Sequence, residues 1–357
     1  MTEIGPFTLE LLIAAFAGGL LGAALGALQS FTLAGIVIVA GEAATIVGRS
    51  VAAATEAVDP SLPMVATGLT GSIGLGPLLG PHVAFAGGVA ATAFAADRGD
   101  LPDDTEYHPA KSIDLSLGSE PAALVVGGLF GSFGYVVATV SGSVLGLPLD
   151  PIALAIVVSA FVHRAVFGYS IVGDRETGWL DVGPYYEGAT RPGSDRPLVE
   201  PFLPYQSAWL NNLVLGLGVG LFSGYVAYRT ASPFLAFGLA ITTFAFVIVD
   251  TWKPPITLHM ALPASIAALS LVPAEYGLAE MTPALVAAEV PFLAALALGG
   301  LFGAIAGVAG EFFARTLYAH GETHLDPPAA AIAFTTLLVG LLVLAGVLPN
   351  AVVLPMP

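Results

Sequence analysis

The chain has 357 residues, of which 56% are hydrophobic and only 10% charged, with 43 Gly and no Cys. This composition excludes a water-soluble core inside a charged shell, and the absence of thiols excludes disulfides, Cys-ligated metals and thiol catalysis together. A formal net charge of −16, from 26 acidic against 10 basic residues, argues against nucleic acid as a partner, because the aqueous segments would repel a polyanion.

The charges concentrate in segments 97–120 and 173–200. Between and around them run apolar stretches of the length a bilayer-crossing helix needs, about 17–25 residues. In chain order there are ten, at about 8–28, 31–54, 76–96, 121–142, 150–170, 208–228, 233–250, 257–273, 290–314 and 328–348. None shows the short alternating period of a membrane barrel. The expected fold class is therefore all-α, a polytopic membrane helical bundle with the lipid bilayer as its main partner. The first stretch follows Glu3 and Glu10 with no Lys or Arg, so no cleavable signal peptide is expected there.

The chain also resembles itself. Gly127-Gly128-Leu129-Phe130-Gly131 returns as Gly299-Gly300-Leu301-Phe302-Gly303, and Leu149-Asp150-Pro151 with Ala153, Ala155 and Ile156 returns as Leu325-Asp326-Pro327 with Ala329, Ala331 and Ile332. Pro77 and His82-Val83-Ala84 correspond to Pro254 and His259-Met260-Ala261, while Gly19-Leu20 and Leu33-Ala34 correspond to Gly220-Leu221 and Leu235-Ala236. Four matches in the same order divide the chain into 1–172, a polar connection 173–204, and 205–357. Five stretches per half is an odd number, so the second half is expected to enter the membrane from the opposite face, as in inverted-repeat transporters. A separate crossing or re-entrant segment at 62–79 would undo that parity. With ten crossings, Arg98, Lys111, Arg164, Arg175, Arg191, Arg196, Lys253 and Arg315 fall on one side, against Arg49 and Arg229 on the other. The positive-inside rule then places both termini outside the cell.

Residues that are costly in lipid mark candidate sites. Gly74, Gly76, Pro77, Gly80 and Pro81 interrupt regular helix before His82, and Pro254-Pro255 does so before His259. These histidines either bracket a polar site, one from each half, or sit at ordinary helix starts. Asp150-Pro151 and Asp326-Pro327 have the form of helix N-caps with Pro at the first helical position; the same carboxylates near helix starts can also bind a cation or proton. Glu42, Glu289 and Glu311 lie in or near predicted spans and join the list of ion-path candidates. His320 and His324, with Glu322 nearby, have ligand chemistry for a divalent metal, although Gly321 breaks any helix there and the segment reads as a loop on a polar edge. The sequence names no cofactor. It holds no HExxH, phosphate-binding loop, GxSxG or dinucleotide glycine pattern, so an enzyme is not expected.

The segment His324-Leu325-Asp326-Pro327-Pro328-Ala329-Ala330-Ala331 resembles the His-Pro-Pro-Ala signature of the HPP family of small membrane proteins, some of them associated with nitrite transport. Pro327, Pro328 and Ala329 match that signature, whereas Leu325 and Asp326 displace His324 from it. The resemblance implies transport and leaves the substrate open. In composition, the acidity resembles that of membrane proteins from salt-loving archaea, where solvated carboxylates keep loops hydrated. Together these features lead us to expect a transporter or channel-like permease for a small ion or solute, with a non-transporting structural or assembly role as the competing reading. Rows of small residues such as Gly18, Gly22 and Gly26 further lead us to expect a homo-oligomer.

Overall fold

A computed structural model describes residues 7–55, 68–102, 105–174, 177–249 and 253–357, apart from the side chains of 50–55. Among them there is no strand; one isolated bridge joins Thr190 to Pro197. The helices are α1 (Leu9–Leu25), α2 (Ala27–Thr55), α3 (Ala84–Asp97), α4 (Pro121–Thr139), α5 (Pro151–Val166), α6 (Gly183–Tyr186), α7 (Trp209–Thr230), α8 (Leu235–Thr242), α9 (Phe244–Ile248), α10 (Leu258–Leu269), α11 (Pro283–Glu289), α12 (Phe292–Phe313) and α13 (Pro327–Leu344). Their limits follow local chemistry. Thr8 caps α1 through Leu11 N, and Gly26 at φ +98 ends it. Pro opens α4, α5, α11 and α13, where its missing N–H leaves nothing unsatisfied.

Every one of the ten expected stretches contains an apolar helix. Five are long and apolar enough to cross a membrane: Ala27–Arg49, Pro121–Val144, Trp209–Thr230, Phe292–Tyr318 and Pro327–Leu344. The other five are shorter, at Leu9–Leu25, Ala84–Asp97, Pro151–Val166, Leu235–Ile248 and Leu258–Leu269. The stretch 76–96 illustrates why. Its helix starts only at Ala84, because Gly74 through Pro81 form the end of a π-helical turn (Leu69–Gly74) and a succession of bends. Of the segment 62–79, residues 62–67 lie outside the described residues. α10 has 12 residues, roughly 18 Å of rise, well short of a bilayer core.

Helix packing repeats itself. α1, α3 and α4 pack together, as do α7, α10 and α12. In the first group a side chain at Gly131 would strike the Ala15 carbonyl and the Gly19 backbone; in the second, one at Gly303 would strike the Gly216 carbonyl and the Gly220 backbone. Gly19 with Gly220 and Gly131 with Gly303 are pairs already matched in sequence. Close backbone approach of this kind supplies van der Waals contact where lipid offers no hydrophobic drive between helices.

Two helix pairs join the groups, and both run antiparallel. Gly35 of α2 abuts Ile241 and Thr242 of α8, while Gly238 abuts Ile38 and Val39. At one end of the second pair, the N–H of Asp150, the residue before α5, donates to Thr336 Oγ1 of α13 at 2.9 Å, and Gly340 lies against the Pro148 carbonyl. At the other end, Asp326, the residue before α13, shares a cavity with Ser159, Ala160 and His163 of α5. Phe31, Phe85, Ile156, Phe237, Leu262 and Ile332 form the buried core where these pairs meet.

The connections gather at two ends. At one, Leu28 N bonds Ile113 O, Lys111 Nζ bonds Tyr318 O, Glu200 N bonds Ala319 O and Arg315 bonds the carbonyls of Leu180 and Ser207. At the other, Arg49 bonds the carbonyls of Ala231 and Leu278, Asn350 bonds those of Pro273 and Tyr276, and Gly146 packs on Met356. These are termed the Asp326 end and the Asp150 end.

Candidate functional site

The two aspartates cap helices as their sequence context predicts. Asp150 Oδ1 accepts from Ala153 N at 2.7 Å and Asp326 Oδ2 from Ala329 N at 2.8 Å, each with extended backbone before a first-turn Pro. Neither is at a water-exposed surface: they are 9% and 6% exposed. A cap at a wet helix end needs no such burial, so position as well as capping has to be explained.

Asp326 Oδ1 lies 3.3 Å from His324 Nε2. The His324 ring is fixed by the edges of Tyr318, Phe85 and Phe202, and the backbone N–H of His324 donates to Ala110 O at 3.4 Å. Beside the pair is a small cavity with room for roughly one water, walled by Phe85 and Val89 of α3 and by Ser159 and His163 of α5. Ser159 Oγ and His163 Nδ1 are buried there without a hydrogen-bond partner in the protein. His163 Nε2 is 3.0 Å from Thr323 Oγ1.

Behind His163 is Arg164, fully buried. Its Nε donates to Thr323 Oγ1 at 2.9 Å, and its terminal nitrogens donate to the carbonyls of Ile171, Leu317 and Thr323 at 2.8–3.0 Å. Gly321 packs against the guanidinium, where a Cβ would meet Nη2 at 2.5 Å. Neutral acceptors thus surround a charge that has no carboxylate within 4 Å among the described residues. Arg164 ties the 317–323 turn to α5 and so sets where His324 and Asp326 stand. The turn is closed over by Lys111, whose Nζ lies 2.7 Å from Glu200 Oε2 and 4.3 Å from the centre of the Tyr318 ring. Burial lowers the Lys111 pKa to about 8, against the opposing pull of Glu200. Arg196 holds the second Glu200 oxygen at 2.8 Å.

A second small cavity adjoins the same helix start through Pro327 and Pro328. His259, Glu311, Gln206 and Asn212 give it its polar character. Glu311 accepts from Arg315 Nε at 2.6 Å and from Asn212 Nδ2 at 3.3 Å, and Gln206 bridges Asn212 to both backbone groups of Ile256. His259 Nδ1 is buried without a partner. Pro263, four residues on within α10, has no N–H to give to the His259 carbonyl.

The remaining candidates lie elsewhere. His82, buried, stacks on Tyr135 with Nδ1 unpartnered, in the turn before α3. Pro81 and Asp150 line a third small cavity, otherwise apolar, that includes Ile156 and Ile332. Glu42 is buried and accepts from Thr70 Oγ1 at 2.9 Å and Ser232 Oγ at 2.6 Å, one hydroxyl from each half. Glu289 is exposed at the end of α11, not set deep in a span. His320 and His324 are not on a polar edge: both are buried, because Arg164 and Lys111 draw their turn into the protein. Among the described residues no group of three or more His, Cys, Asp or Glu is placed to hold a metal.

The four symmetry-matched candidates therefore do not converge on one cavity. His259 and Asp326 flank one helix start, and Asp150 with the His82 turn flanks the other. The sequence reading missed Ser159, His163, Gln206, Asn212 and the Lys111–Glu200 pair. It treated Arg164 only as a topological marker, although a charge and a His inside an otherwise apolar stretch were the available signal.

Residues 1–357 match the model of a family of unknown function, DUF7973, and the chain belongs to that family. No curated protein and no solved structure matches it.

Proposed function

We propose that the protein is a membrane permease for a small ion or small solute, built from two inverted repeats of five crossings, 1–172 and 205–357, joined by 173–204. The observation that carries this reading is the antiparallel packing of sequence-matched helices α5 and α13, each starting at a buried Asp N-cap. Equivalent helices run antiparallel when a two-fold axis lies in the membrane plane, and parallel repeats would not produce it. Two further features support it. The matched helices α2 and α8 are antiparallel as well, and the basic residues sort between the two ends as ten crossings require, with Lys111, Arg164, Arg196 and Arg315 at one and Arg49 at the other.

The helices α3, α5 and α10 are short for a bilayer crossing, and irregular backbone such as Gly74–Pro81 is tolerated at membrane depth only where it is buried in protein or lines a cavity. Small cavities flanking the start of α13, with an ion-pairing cluster on one side, favour transport over a purely structural role. The HPP-like residues Pro327, Pro328 and Ala329 belong to this same helix start. The reading is tested by reconstituting the purified chain into liposomes and measuring flux of H⁺, Na⁺, K⁺, chloride and nitrite. Uptake above protein-free vesicles for at least one solute is expected; none for any would shift the assignment to a structural or assembly protein.

A further inference from the structure

We propose that the Asp326–His324 pair, together with one water held by His163 and Ser159, is a proton-binding site, so that H⁺ is the ion carried or the ion coupled to transport. This rests on the permease reading above and specifies its ion.

Size is the first ground. The cavity beside Asp326 accepts about one water, too little for a hydrated metal ion or a polyatomic solute, but a proton needs no more. The second ground is unsatisfied polarity. Ser159 and His163 line the cavity, Ser159 Oγ and His163 Nδ1 are buried without a protein partner, and buried polar atoms are paired in nearly all folded proteins. One bridging water satisfies both and brings a hydrogen-bond donor within the cavity that Asp326 and His324 share.

The third ground is how the surroundings divide the labour. The Thr323 hydroxyl accepts from Arg164 Nε, and donating its own proton to His163 Nε2 leaves the His163 proton on Nδ1. This tautomer follows from using every donor. His163 is thus a positioning residue, and the exchanging proton falls to the pair across the cavity. A proton arriving there forms one N–H on His324 or one O–H on Asp326 and takes the pair from −1 to 0; its release breaks that single bond. No other reactant is needed.

The groups facing the pair agree with this. α5 presents Ser159 and His163, with Arg164 reaching the turn at Thr323, and α3 presents Phe85, Ala86 and Val89. From the 98–120 connection comes Lys111, already neutralised by Glu200; from the turn itself come Tyr318, His320 and Glu322. Across Pro327 and Pro328 lie His259 and Glu311, in a second cavity of similarly small capacity, which gives the proton titratable neighbours toward the Asp326 end.

The test uses the full chain in liposomes containing a pH-sensitive dye, with a valinomycin-clamped potassium gradient as driving force. Asp326→Asn is the central variant, because Asn caps a helix as well as Asp does but holds no exchangeable charge. Wild type is expected to move protons, Asp326→Asn to slow them about a hundredfold or more, and His163→Gln to slow them less. Asp150→Asn, whose cavity offers no second titratable side chain, is expected to stay within about twofold, and an unchanged melting temperature in each Asn variant certifies folding. Proton flux that survives in folded Asp326→Asn overturns the site. Flux of another solute with no proton movement overturns the site and leaves the permease intact, whereas no flux of any kind removes both.

Discussion

The two ends of the α5–α13 pair share a backbone plan and differ in chemistry. At each, an Asp N-cap begins one helix against the far half of the other. At the Asp150 end the neighbours are Thr336, Val339, Gly340 and Pro148; at the Asp326 end the corresponding positions hold Ala160, His163, Arg164 and His324. One side packs a glycine onto a carbonyl, and the other fills the same place with a guanidinium and two imidazoles. The packing is alike at the two ends, whereas a buried guanidinium is found only at the Asp326 end. The difference teaches where to look: what both ends share holds the fold, and what only the Asp326 end has is free to serve function.

The largest expected effect comes from removing what only that end has. Arg164→Met leaves the carbonyls of Ile171, Leu317 and Thr323 buried without donors, and should destabilise by about 3–5 kcal/mol, read as a lower melting temperature in detergent. The corresponding substitution at the other end, Gly340→Ala, meets the Pro148 carbonyl and should cost about 1–3 kcal/mol. Equal losses at the two positions would erase the proposed asymmetry.

Next is the Lys111–Glu200 pair, which has no equivalent at the Asp150 end. Glu200→Gln strands a buried ammonium and should cost about 3 kcal/mol, while the double variant Lys111→Met, Glu200→Gln should recover part of that loss, the remainder reflecting the Tyr318 carbonyl left without its donor and Arg196 without its carboxylate. The pH dependence has a definite sign. Because burial lowers the folded-state pKa of Lys111 to about 8 from 10.5, the unfolded chain binds more protons between those values, so stability gained from this residue rises across that window. Melting curves between pH 8 and 10.5 should show the rise in wild type and lose it in Lys111→Met.

What the ends share should respond symmetrically. Gly131→Ala and Gly303→Ala drive a Cβ into the backbone of α1 and of α7 and should each cost roughly 1–3 kcal/mol. The smallest effect is the cap itself: Asp150→Ala and Asp326→Ala should each lose about 1 kcal/mol of stability, with the Asn variants close to wild type.

Much of this plan was legible in the sequence because membrane helices announce themselves by apolar length, and caps by local residue pairs. The Asp-Pro starts of α5 and α13 and the glycine contacts of α4 and α12 fall where sequence matches place them. Helix length was less legible: hydropathy continues through Gly74–Pro81, where the backbone does not remain helical. The polar site was least legible, because its partners are 159–207 residues apart in pairs such as Arg164 with Thr323 and Lys111 with Tyr318. Nothing local signals such meetings. Burial of His320 and His324, read from sequence as an exposed loop, is decided by those distant cations.

The inverted arrangement is the claim on which the transport reading depends. Because the chain has no native Cys, single Asp100→Cys and Glu275→Cys variants give clean reporters in the exposed connections that follow the matched helices α3 and α10. In oriented membranes an impermeant maleimide should label the two from opposite faces, Asp100→Cys from the cytoplasmic side and Glu275→Cys from outside. Labelling of both from the same face would contradict inverted repeats.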